Sequence, residues 1–123
     1  ALDRLDEWTE ATRRHARVMN EALAGLSGIT VPHVPPGRTH VFYQYAIYAA
    51  PRDRVVRRCL RRGIDVETLH VDVCTRLPLF GNGHAPTPGA ERAAEAIQLP
   101  VYASLKPDHI DRIATVVREA VAT

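Results

Sequence analysis

Lysine is nearly absent from this sequence. The chain of 123 residues contains 16 lysine and arginine residues together, and Lys106 is the only lysine among them. Chemistry that joins a cofactor or substrate to a lysine amine therefore has one candidate residue. Lys106 stands directly before Pro107, at the predicted start of a helix, where nothing in the neighbouring sequence would withdraw its amine from water. We therefore predict a surface position for Lys106 and no catalytic residue in the chain.

Cysteine is also scarce, and its placement excludes two kinds of cross-link. Cys59 and Cys74 lie in different predicted elements and lack Cys-x-x-Cys spacing, which argues against a disulfide framework and against a zinc site. The imidazole and carboxylate groups of His70, Asp72 and His84 are suitable metal ligands, but their spacing matches no recognised metal-binding pattern. We therefore predict two reduced thiols and no bound metal.

Long apolar runs and a strong excess of charge are missing too. No run approaches the ~20 apolar residues that span a bilayer, and the charged start of the chain is unlike a signal peptide. We therefore expect a cytoplasmic protein without membrane contact. The net charge is +2, and the densest basic run, at 57–62, falls at a predicted helix end without aromatic residues for base stacking. The sequence therefore predicts no nucleic-acid partner.

The length and composition fit one domain. With 123 residues, 46% of them hydrophobic, the chain can bury a modest core, and we predict a single domain over 1–123. Its first element is a long amphipathic helix over 2–26, which Gly25 and Gly28 end. The helical period predicts an apolar face formed by Leu5, Trp8, Thr12, Met19, Leu23 and Leu26.

A strand, a helix and a long loop are predicted in the middle of the chain. Residues 39–48 are rich in β-branched and aromatic side chains, which predicts a central strand buried on both faces. A helix starting at Pro51 and an extended segment at 64–73 follow it. The core face of that helix is predicted to contain Val55, Val56, Cys59 and Leu60. Residues 75–88 are rich in proline and glycine, which predicts a long loop that is mobile or faces a partner.

The last third of the chain completes an α+β pattern. A short alanine-rich helix is predicted from Pro88 to about residue 97, followed by an extended segment at 99–102 and a final helix from Pro107. The apolar face of the final helix is predicted to contain Ile110, Ile113, Ala114, Val117 and Val121. Helices and strands alternate irregularly, which predicts a two-layer sandwich in which helices cover a small, mostly antiparallel sheet.

Four segments of the chain, taken in order, resemble a known family. They are 40–47 (His-Val-Phe-Tyr-Gln-Tyr-Ala-Ile), 51–53 (Pro-Arg-Asp), 60–64 (Leu-Arg-Arg-Gly-Ile) and 97–105 (Ile-Gln-Leu-Pro-Val-Tyr-Ala-Ser-Leu). Their order and spacing are similar to those in the C-terminal small domain of the DegT/DnrJ family, which consists of pyridoxal phosphate (PLP) aminotransferases of fold type I. The resemblance covers nearly the whole chain.

The resemblance implies a function and a set of partners. The intact enzyme would transfer an amino group, commonly from glutamate, to a keto-sugar nucleotide, and it would be a homodimer. Its N-terminal large domain, which binds PLP and carries the Schiff-base lysine, is absent from this sequence. The small domain of such enzymes helps to close the active site. We therefore expect the chain alone to bind no cofactor and to be inactive.

The resemblance also nominates residues near the substrate. His40 matches a family histidine at the start of the central strand, and Tyr43 follows it. Family members often carry a Gly-Ile-x-Thr-x-x-His-Tyr segment whose histidine can lie near the sugar. Here the segment starts at Gly63 and its histidine comes one residue later, at His70, with Asp72 beyond it. For His40 and Tyr43 the alternative is a structural role with hydrogen-bonded polar atoms, and for His70 it is a surface position or a hydrogen-bonded structural role.

Two other functions stay open at this point. One is a free-standing binding or regulatory module of the same fold, which acts in trans with a separate catalytic subunit. The other is an arginine-rich nucleic-acid binder, for which we would expect a salt-sensitive affinity for DNA.

Overall fold

An antiparallel sheet and the helices packed against it organise the chain. The computed structural model describes residues 2–68, 72–81 and 85–122. Its α-helices are α1 (Leu5–Leu23), α2 (Arg52–Arg61), α3 (Pro88–Ala94) and α4 (Pro107–Ala122). Its strands are β1 (Ile29–Thr30), β2 (Tyr45–Ala49), β3 (Glu67–Thr68) and β4 (Ile97–Leu99). Short 3₁₀ turns lie at Leu2–Arg4, Cys74–Arg76 and Pro78–Phe80.

The sheet has the strand order β1-β2-β4-β3, and each neighbouring pair is antiparallel. In β2, Tyr45 is paired with Leu99 and Ile47 with Ile97, so these four side chains share the buried face of the sheet. The opposite face carries Ala46 and its partner Gln98, which are half-buried. The α+β class and the mostly antiparallel sheet that the sequence predicts are confirmed.

The central strand is shorter than the sequence predicts. Residues 39–44 are outside β2, which begins at Tyr45. Phe42 has a φ of 50°, a left-handed conformation that a regular strand does not contain, and its N–H donates to His40 Nδ1 at 2.8 Å. That bond occupies a donor that strand pairing would need. The predicted position of Tyr43 in a buried strand is therefore wrong, because its side chain is 88% exposed.

The helices pack together through α4. Both α1 and α2 contact α4, and α2 also contacts β2. Most of the apolar residues that the helical period predicts are buried, among them Met19, Leu23, Val55, Cys59, Ile110, Ile113, Ala114 and Val117. Ala16, Val116 and Ala120 are also buried, although the sequence analysis did not place them in the core. The core therefore lies between the buried face of the sheet and these three helices.

Three residues predicted in the core are at the surface. Leu60 in α2 and Leu5 in α1 are each 52% exposed, and Trp8 is 39% exposed. Leu60 is about 100° around the helix from Cys59, which turns it away from the buried face. Leu5 and Trp8 are on the correct face of α1 but precede the part of the helix that the core covers.

The end of α2 follows the sequence signal closely. Gly63 has a φ of +69°, the left-handed conformation that glycine adopts without strain. The N–H of Ile64 donates to Cys59 at 2.9 Å and that of Gly63 donates to Leu60 at 3.0 Å, which is the hydrogen-bond pattern of a Schellman cap. Ile64 is buried beyond the cap. This geometry turns the chain toward β3.

Other predicted boundaries differ from the structure. The segment predicted as extended over 64–73 contains only a two-residue strand among its described residues, and the predicted loop at 75–88 contains two 3₁₀ turns. The helix that starts at Pro88 ends at Ala94, because Ile97 pairs with Ile47 as part of β4. Across the described ranges, none of the helices is long and apolar enough to cross a bilayer.

Candidate functional site

A groove of about 460 Å³ opens at the end of the sheet where β2 begins and β4 ends. We call it the strand-end groove. Its walls come from four parts of the chain: residues 43–44, residues 63–67, residues 98–102 and the first two turns of α4. The Schellman cap of α2 and the start of α4 therefore lie beside the strand ends at this corner of the fold, and the groove is the space between them.

Polar and aromatic side chains line the strand-end groove. Tyr43 and Tyr102 are 88% and 59% exposed, so each presents most of its ring to solvent. Gln98 lines the groove because β4 alternates, with Ile97 and Leu99 on the buried face and Gln98 on the other. These groups offer ring faces and amide donors and acceptors. They suit a polar ligand that contains a ring.

Two groups from α4 complete the wall and are held by the backbone around them. Arg112 Nη2 donates to the carbonyl oxygen of Arg62, which ties α4 to the end of α2. His109 Nδ1 accepts a hydrogen bond from the N–H of Lys106 at 3.4 Å. Both side chains therefore have structural contacts, and each also faces the groove.

Of the three described residues predicted near the substrate, Tyr43 is the one that lines this groove. His40 is exposed and is held by its neighbours, because its Nδ1 accepts from Phe42 and its carbonyl accepts from Arg13 Nε at 3.0 Å. Asp72 is exposed, and its carbonyl accepts a weak hydrogen bond from Cys74 Sγ at 3.9 Å. His70 lies outside the described residues.

The sequence analysis missed Gln98, Tyr102, His109 and Arg112 as members of a common site. Gln98 carried a usable signal, since it is the one polar residue between two apolar residues of an alternating strand. The sequence predicts Tyr102 in an extended segment over 99–102, whereas β4 ends at Leu99. Tyr102 therefore lies beyond the end of the strand. His109 and Arg112 had no signal in the sequence, because only the packing of α4 brings them to the strand ends.

A second concavity, of about 580 Å³, lies beside β1 and β2. The guanidinium carbon of Arg92 is 3.8 Å from the centroid of the Tyr48 ring, and Arg92 Nη1 is 3.1 Å from Glu95 Oε2. Arg52 Nε donates to the carbonyl of Glu95 at 3.1 Å. The cations of this concavity are thus engaged in contacts that fasten α3 to the sheet, and we assign it a structural role.

The described residues contain neither a buried lysine nor a cluster of possible metal ligands. Lys106 is exposed at the start of α4, so its amine stays in water and is not held in a cofactor pocket. In the described parts of the chain, no three histidine, cysteine, aspartate or glutamate side chains lie close enough to hold a metal ion. Cys59 is a buried free thiol and Cys74 an exposed one.

Comparisons with known proteins identify one family of aminotransferases. A sequence model of the DegT/DnrJ/EryC1/StrS aminotransferase family matches residues 1–118. A "pleiotropic regulatory protein" of Geobacillus stearothermophilus is 36% identical over 112 residues, which cover 85% of this chain and 30% of the relative. A dTDP-3-amino-3,4,6-trideoxy-alpha-D-glucose transaminase of Micromonospora megalomicea subsp. nigra is 34% identical over 129 residues, which cover 98% of this chain and 34% of the relative.

Solved structures give the same result for the fold. The aminotransferase TlmJ from Streptoalloteichus hindustanus superposes with a TM-score of 0.87 and 28% sequence identity. The superposition covers 98% of this chain and 34% of that protein. The chain therefore spans about a third of the length of the relatives it matches, in sequence and in structure.

Proposed function

The chain belongs to the DegT/DnrJ/EryC1/StrS aminotransferase family, and we propose that it is the C-terminal small domain of an enzyme that aminates a keto-sugar nucleotide. In this proposal the chain completes an active site whose remaining part belongs to a PLP-binding large domain. The intact enzyme is a cytoplasmic homodimer. Single-domain organisation over 1–123 is part of the same proposal.

One observation carries the proposal. The alignment with the sugar transaminase of Micromonospora megalomicea covers 98% of this chain but only 34% of that relative. A relative of Acidithiobacillus ferrooxidans, named as a UDP-N-acetyl-3-dehydro-alpha-D-glucosamine aminotransferase, repeats this relation with 93% and 31%. These names support a nucleotide-linked sugar as the substrate. The unequal coverage supports a further body of about twice this size.

The lysine content of the chain supports a catalytic centre that lies in another part of the enzyme. Transamination with PLP needs a lysine amine to hold the cofactor and to move protons, and PLP supplies the electron sink. The one lysine of this chain is exposed at the start of α4, so its amine is in water and not in a buried cofactor pocket. We therefore place the Schiff-base lysine and the cofactor contacts outside this chain.

We retain His40, Tyr43, His70 and Asp72 as the proposed residues near the substrate. Tyr43 has the strongest support, because its ring is exposed at the mouth of the strand-end groove. His40 acts as a positioning residue in this proposal, since its Nδ1 fixes the left-handed turn at Phe42 that exposes Tyr43. An exposed tyrosine contributes a ring face and a hydroxyl to a sugar or base.

The experiment compares the chain alone with a chimera. In the chimera this chain replaces the matching third of the Micromonospora transaminase. We expect the isolated chain with saturating PLP to show neither the absorbance of lysine-bound PLP nor transamination, and the chimera to show both. The Lys106→Ala chimera should keep its activity within about twofold, because the lysine that holds PLP lies elsewhere. Transamination by the isolated chain, or its loss from the Lys106→Ala chimera, would contradict the proposal.

A second candidate function rests on the name of the Geobacillus relative, which is called a pleiotropic regulatory protein. In this alternative the chain is a free-standing module that acts in trans with a catalytic subunit. The genomic reading frame separates the two candidates. A frame that continues upstream into a lysine-bearing domain supports the enzyme, and a start codon immediately before Ala1 supports the module.

A further inference from the structure

The outward face of α2 carries a high density of positive charge. Six of the 16 lysine and arginine residues of the chain lie within residues 52–62. Val55 and Cys59 are on the buried face of the helix, and at 100° per residue Arg57 and Arg61 point in nearly the opposite direction. Both arginines are exposed. The positive charge is therefore concentrated on the side of α2 that faces solvent.

This face has fewer carboxylates than cations. Arg58 Nη2 and Arg62 Nη2 lie 3.0 Å and 3.5 Å from the same atom, Glu119 Oε2, so two guanidinium groups share one carboxylate. Among the residues that the structure describes, Arg57 and Arg61 form no ion pair. The two are one helical turn apart, a spacing at which like charges destabilise a helix. An anion brought by a partner would relieve that repulsion.

The helix dipole accounts for only part of this charge. It favours cations in the last turn of a helix, which contains Arg58 and Arg61. Arg57 precedes that turn and has no such explanation. The face also exceeds what the whole chain would predict, because the net charge of the chain is only +2.

Leu60 gives the charged face an apolar centre. Its side chain is 52% exposed, and along the helix axis it lies between Arg57 and Arg61. We call Arg57, Arg58, Leu60, Arg61 and Arg62 the α2 surface. None of these five residues lines the strand-end groove. The α2 surface is therefore separate from the candidate functional site.

The composition of the α2 surface favours a protein partner over a polyanion. Sites for single-stranded nucleic acid add aromatic rings on which bases stack, and α2 contains no aromatic residue. A phosphate backbone also gains nothing from contact with an exposed leucine. Arginine, by contrast, binds carboxylates through two parallel hydrogen bonds and is enriched in contacts between proteins. Leu60 supplies apolar area that such a contact would bury.

The spacing of the cations indicates the form of the partner. Arg57 and Arg61 are four residues apart, which is about 6 Å along the helix axis. Carboxylates at positions i and i+4 of a second helix have the same spacing. An apolar residue between those carboxylates would lie opposite Leu60. An acidic amphipathic helix therefore matches the α2 surface in both charge and spacing.

A second copy of this chain matches less well. Its acidic helical segment is the start of α1, where Glu7 is paired with Arg4 and Glu10 with Arg13. These carboxylates would have to leave their partners in order to bind the α2 surface. A different protein with unpaired carboxylates has no such cost.

We propose that the α2 surface docks an acidic amphipathic helix of another protein, in which carboxylates one turn apart pair with Arg57 and Arg61 and an apolar side chain covers Leu60. This proposal does not depend on the proposed enzymatic function. The α2 surface and the strand-end groove share no residue, so a partner on α2 leaves the residues of the groove exposed.

Fluorescence anisotropy with two labelled helical peptides of about 16 residues tests the proposal on this chain. One peptide has glutamate at positions i and i+4 with leucine between them, and its twin has glutamine in place of glutamate. We expect the glutamate peptide to bind at low salt at least tenfold more tightly than its twin, and more weakly as salt is added. Equal binding of the two peptides, or no binding of the glutamate peptide, would overturn the proposal.

Two further probes identify the other possible occupants. A single-stranded DNA of the same charge should bind at least tenfold more weakly than the glutamate peptide, and an equal or higher affinity for the DNA would overturn the proposal in favour of a general polyanion site. Sedimentation of the chain without peptide should show no association through α2. Self-association that Arg57→Gln with Arg61→Gln abolishes would identify a second copy as the occupant and would also overturn it.

A matched pair of double variants separates the α2 surface from net charge. Arg57→Gln with Arg61→Gln removes two cations from α2, and Arg14→Gln with Arg17→Gln removes two exposed cations from α1. We expect the first variant to raise the Kd for the glutamate peptide at least tenfold and the second to change it less than twofold. Equal effects would show that only overall charge matters and would contradict a specific surface.

Leu60→Gln tests the apolar centre of the α2 surface. We expect it to raise the Kd for the glutamate peptide at least threefold and to leave the affinity for DNA unchanged, because only a protein partner covers the leucine. All three variants should unfold within about 2 °C of the parent chain, since the substituted side chains are exposed. An unchanged Kd for Leu60→Gln would refute the apolar contact.

Discussion

Single side chains connect the layers of this fold. Tyr45 is completely buried at the start of β2, and its hydroxyl donates to Asn20 Oδ1 of α1 at 2.6 Å. Burial raises the pKa of Tyr45, so the hydroxyl keeps its proton for this bond. Two residues before it in the sequence, Tyr43 is 88% exposed. Two tyrosines in one short segment thus have opposite roles.

We expect Tyr45→Phe to lower the free energy of unfolding by about 1–2 kcal/mol, because the substitution leaves the half-buried amide of Asn20 without its donor. Tyr43→Phe is the control and should change it by less than about 0.5 kcal/mol. Urea unfolding followed by circular dichroism measures both. Similar losses for the two variants would contradict the assigned roles.

The two cysteines should differ in reactivity. Cys59 is completely buried in α2 and burial raises the pKa of its thiol to about 11, whereas Cys74 is exposed in a 3₁₀ turn. Because the thiolate is the reactive form, a thiol reagent at pH 8 should label Cys74 quickly and Cys59 at least a hundredfold more slowly.

Mass spectrometry of the labelled chain distinguishes the two sites. In the Cys74→Ser variant the native chain should remain unlabelled until denaturant is added. Rapid labelling of that variant under native conditions would show that α2 opens readily, which the packing of α2 against α4 argues against.

At the scale of the element, the turn between α1 and β1 depends on glycine. Gly25 and Gly28 have φ values of +79° and +80°. A side-chain carbon at Gly25 would meet open space, but one at Gly28 would lie 2.9 Å from the carbonyl oxygen of Ala50. The N–H of Ala50 also donates to the carbonyl of Gly28 at 2.8 Å. Gly28 therefore permits β1 to approach the end of β2.

We expect Gly25→Ala to cost about 1 kcal/mol, from the left-handed backbone alone. Gly28→Ala should cost about 2–3 kcal/mol, because the backbone of Ala50 must also move. Chemical denaturation of the two variants gives the difference. Equal costs would mean that the close approach of Gly28 to Ala50 contributes nothing to stability.

The boundaries of the helices and strands differ in how well the sequence predicts them. The stop of α2 at Gly63 and the start of α4 at Pro107 are correct, because capping and proline geometry are local properties of the backbone. The strands are less well predicted. The left-handed Phe42 shortens β2, and Ile97 leaves the predicted helix to pair with Ile47. Strand limits depend on partners that are distant in the sequence.

For the whole molecule, titration of buried groups couples stability to alkaline pH. Burial raises the pKa of Cys59 from 9.0 to about 11, and it also raises the pKa of Tyr45. The unfolded chain therefore releases these protons at a lower pH than the folded chain does. Stability from this source is complete below pH 9 and is lost as pH rises toward 11 and beyond.

We expect Cys59 alone to contribute a loss of about 1 kcal/mol between pH 8 and pH 10, because pH 10 lies about one unit above the pKa of the thiol in the unfolded chain. Urea unfolding at both pH values measures the loss. The Cys59→Ala variant, which lacks the titrating thiol, should lose correspondingly less over the same interval. An identical pH dependence in the variant would exclude Cys59 as the source.

The candidate site was only partly predictable. Tyr43 was nominated from the sequence, although its predicted place in a buried strand was wrong, and Gln98 carried an alternation signal. His109 and Arg112 could not be found, because they join the strand-end groove only through the packing of α4 against the ends of the strands. A groove is a property of several elements, and no single segment of the sequence contains it.

The sequence by itself determined the class of the fold, the end of α2, the start of α4 and the family resemblance. These follow from local backbone preferences, side-chain periodicity and residue identity, which are independent of distant contacts. Only the tertiary structure decided that the stripe of α1 is buried from Ala16 onward and open at Leu5 and Trp8. A periodic pattern states which face of a helix is apolar, but what covers that face depends on where the other elements stop.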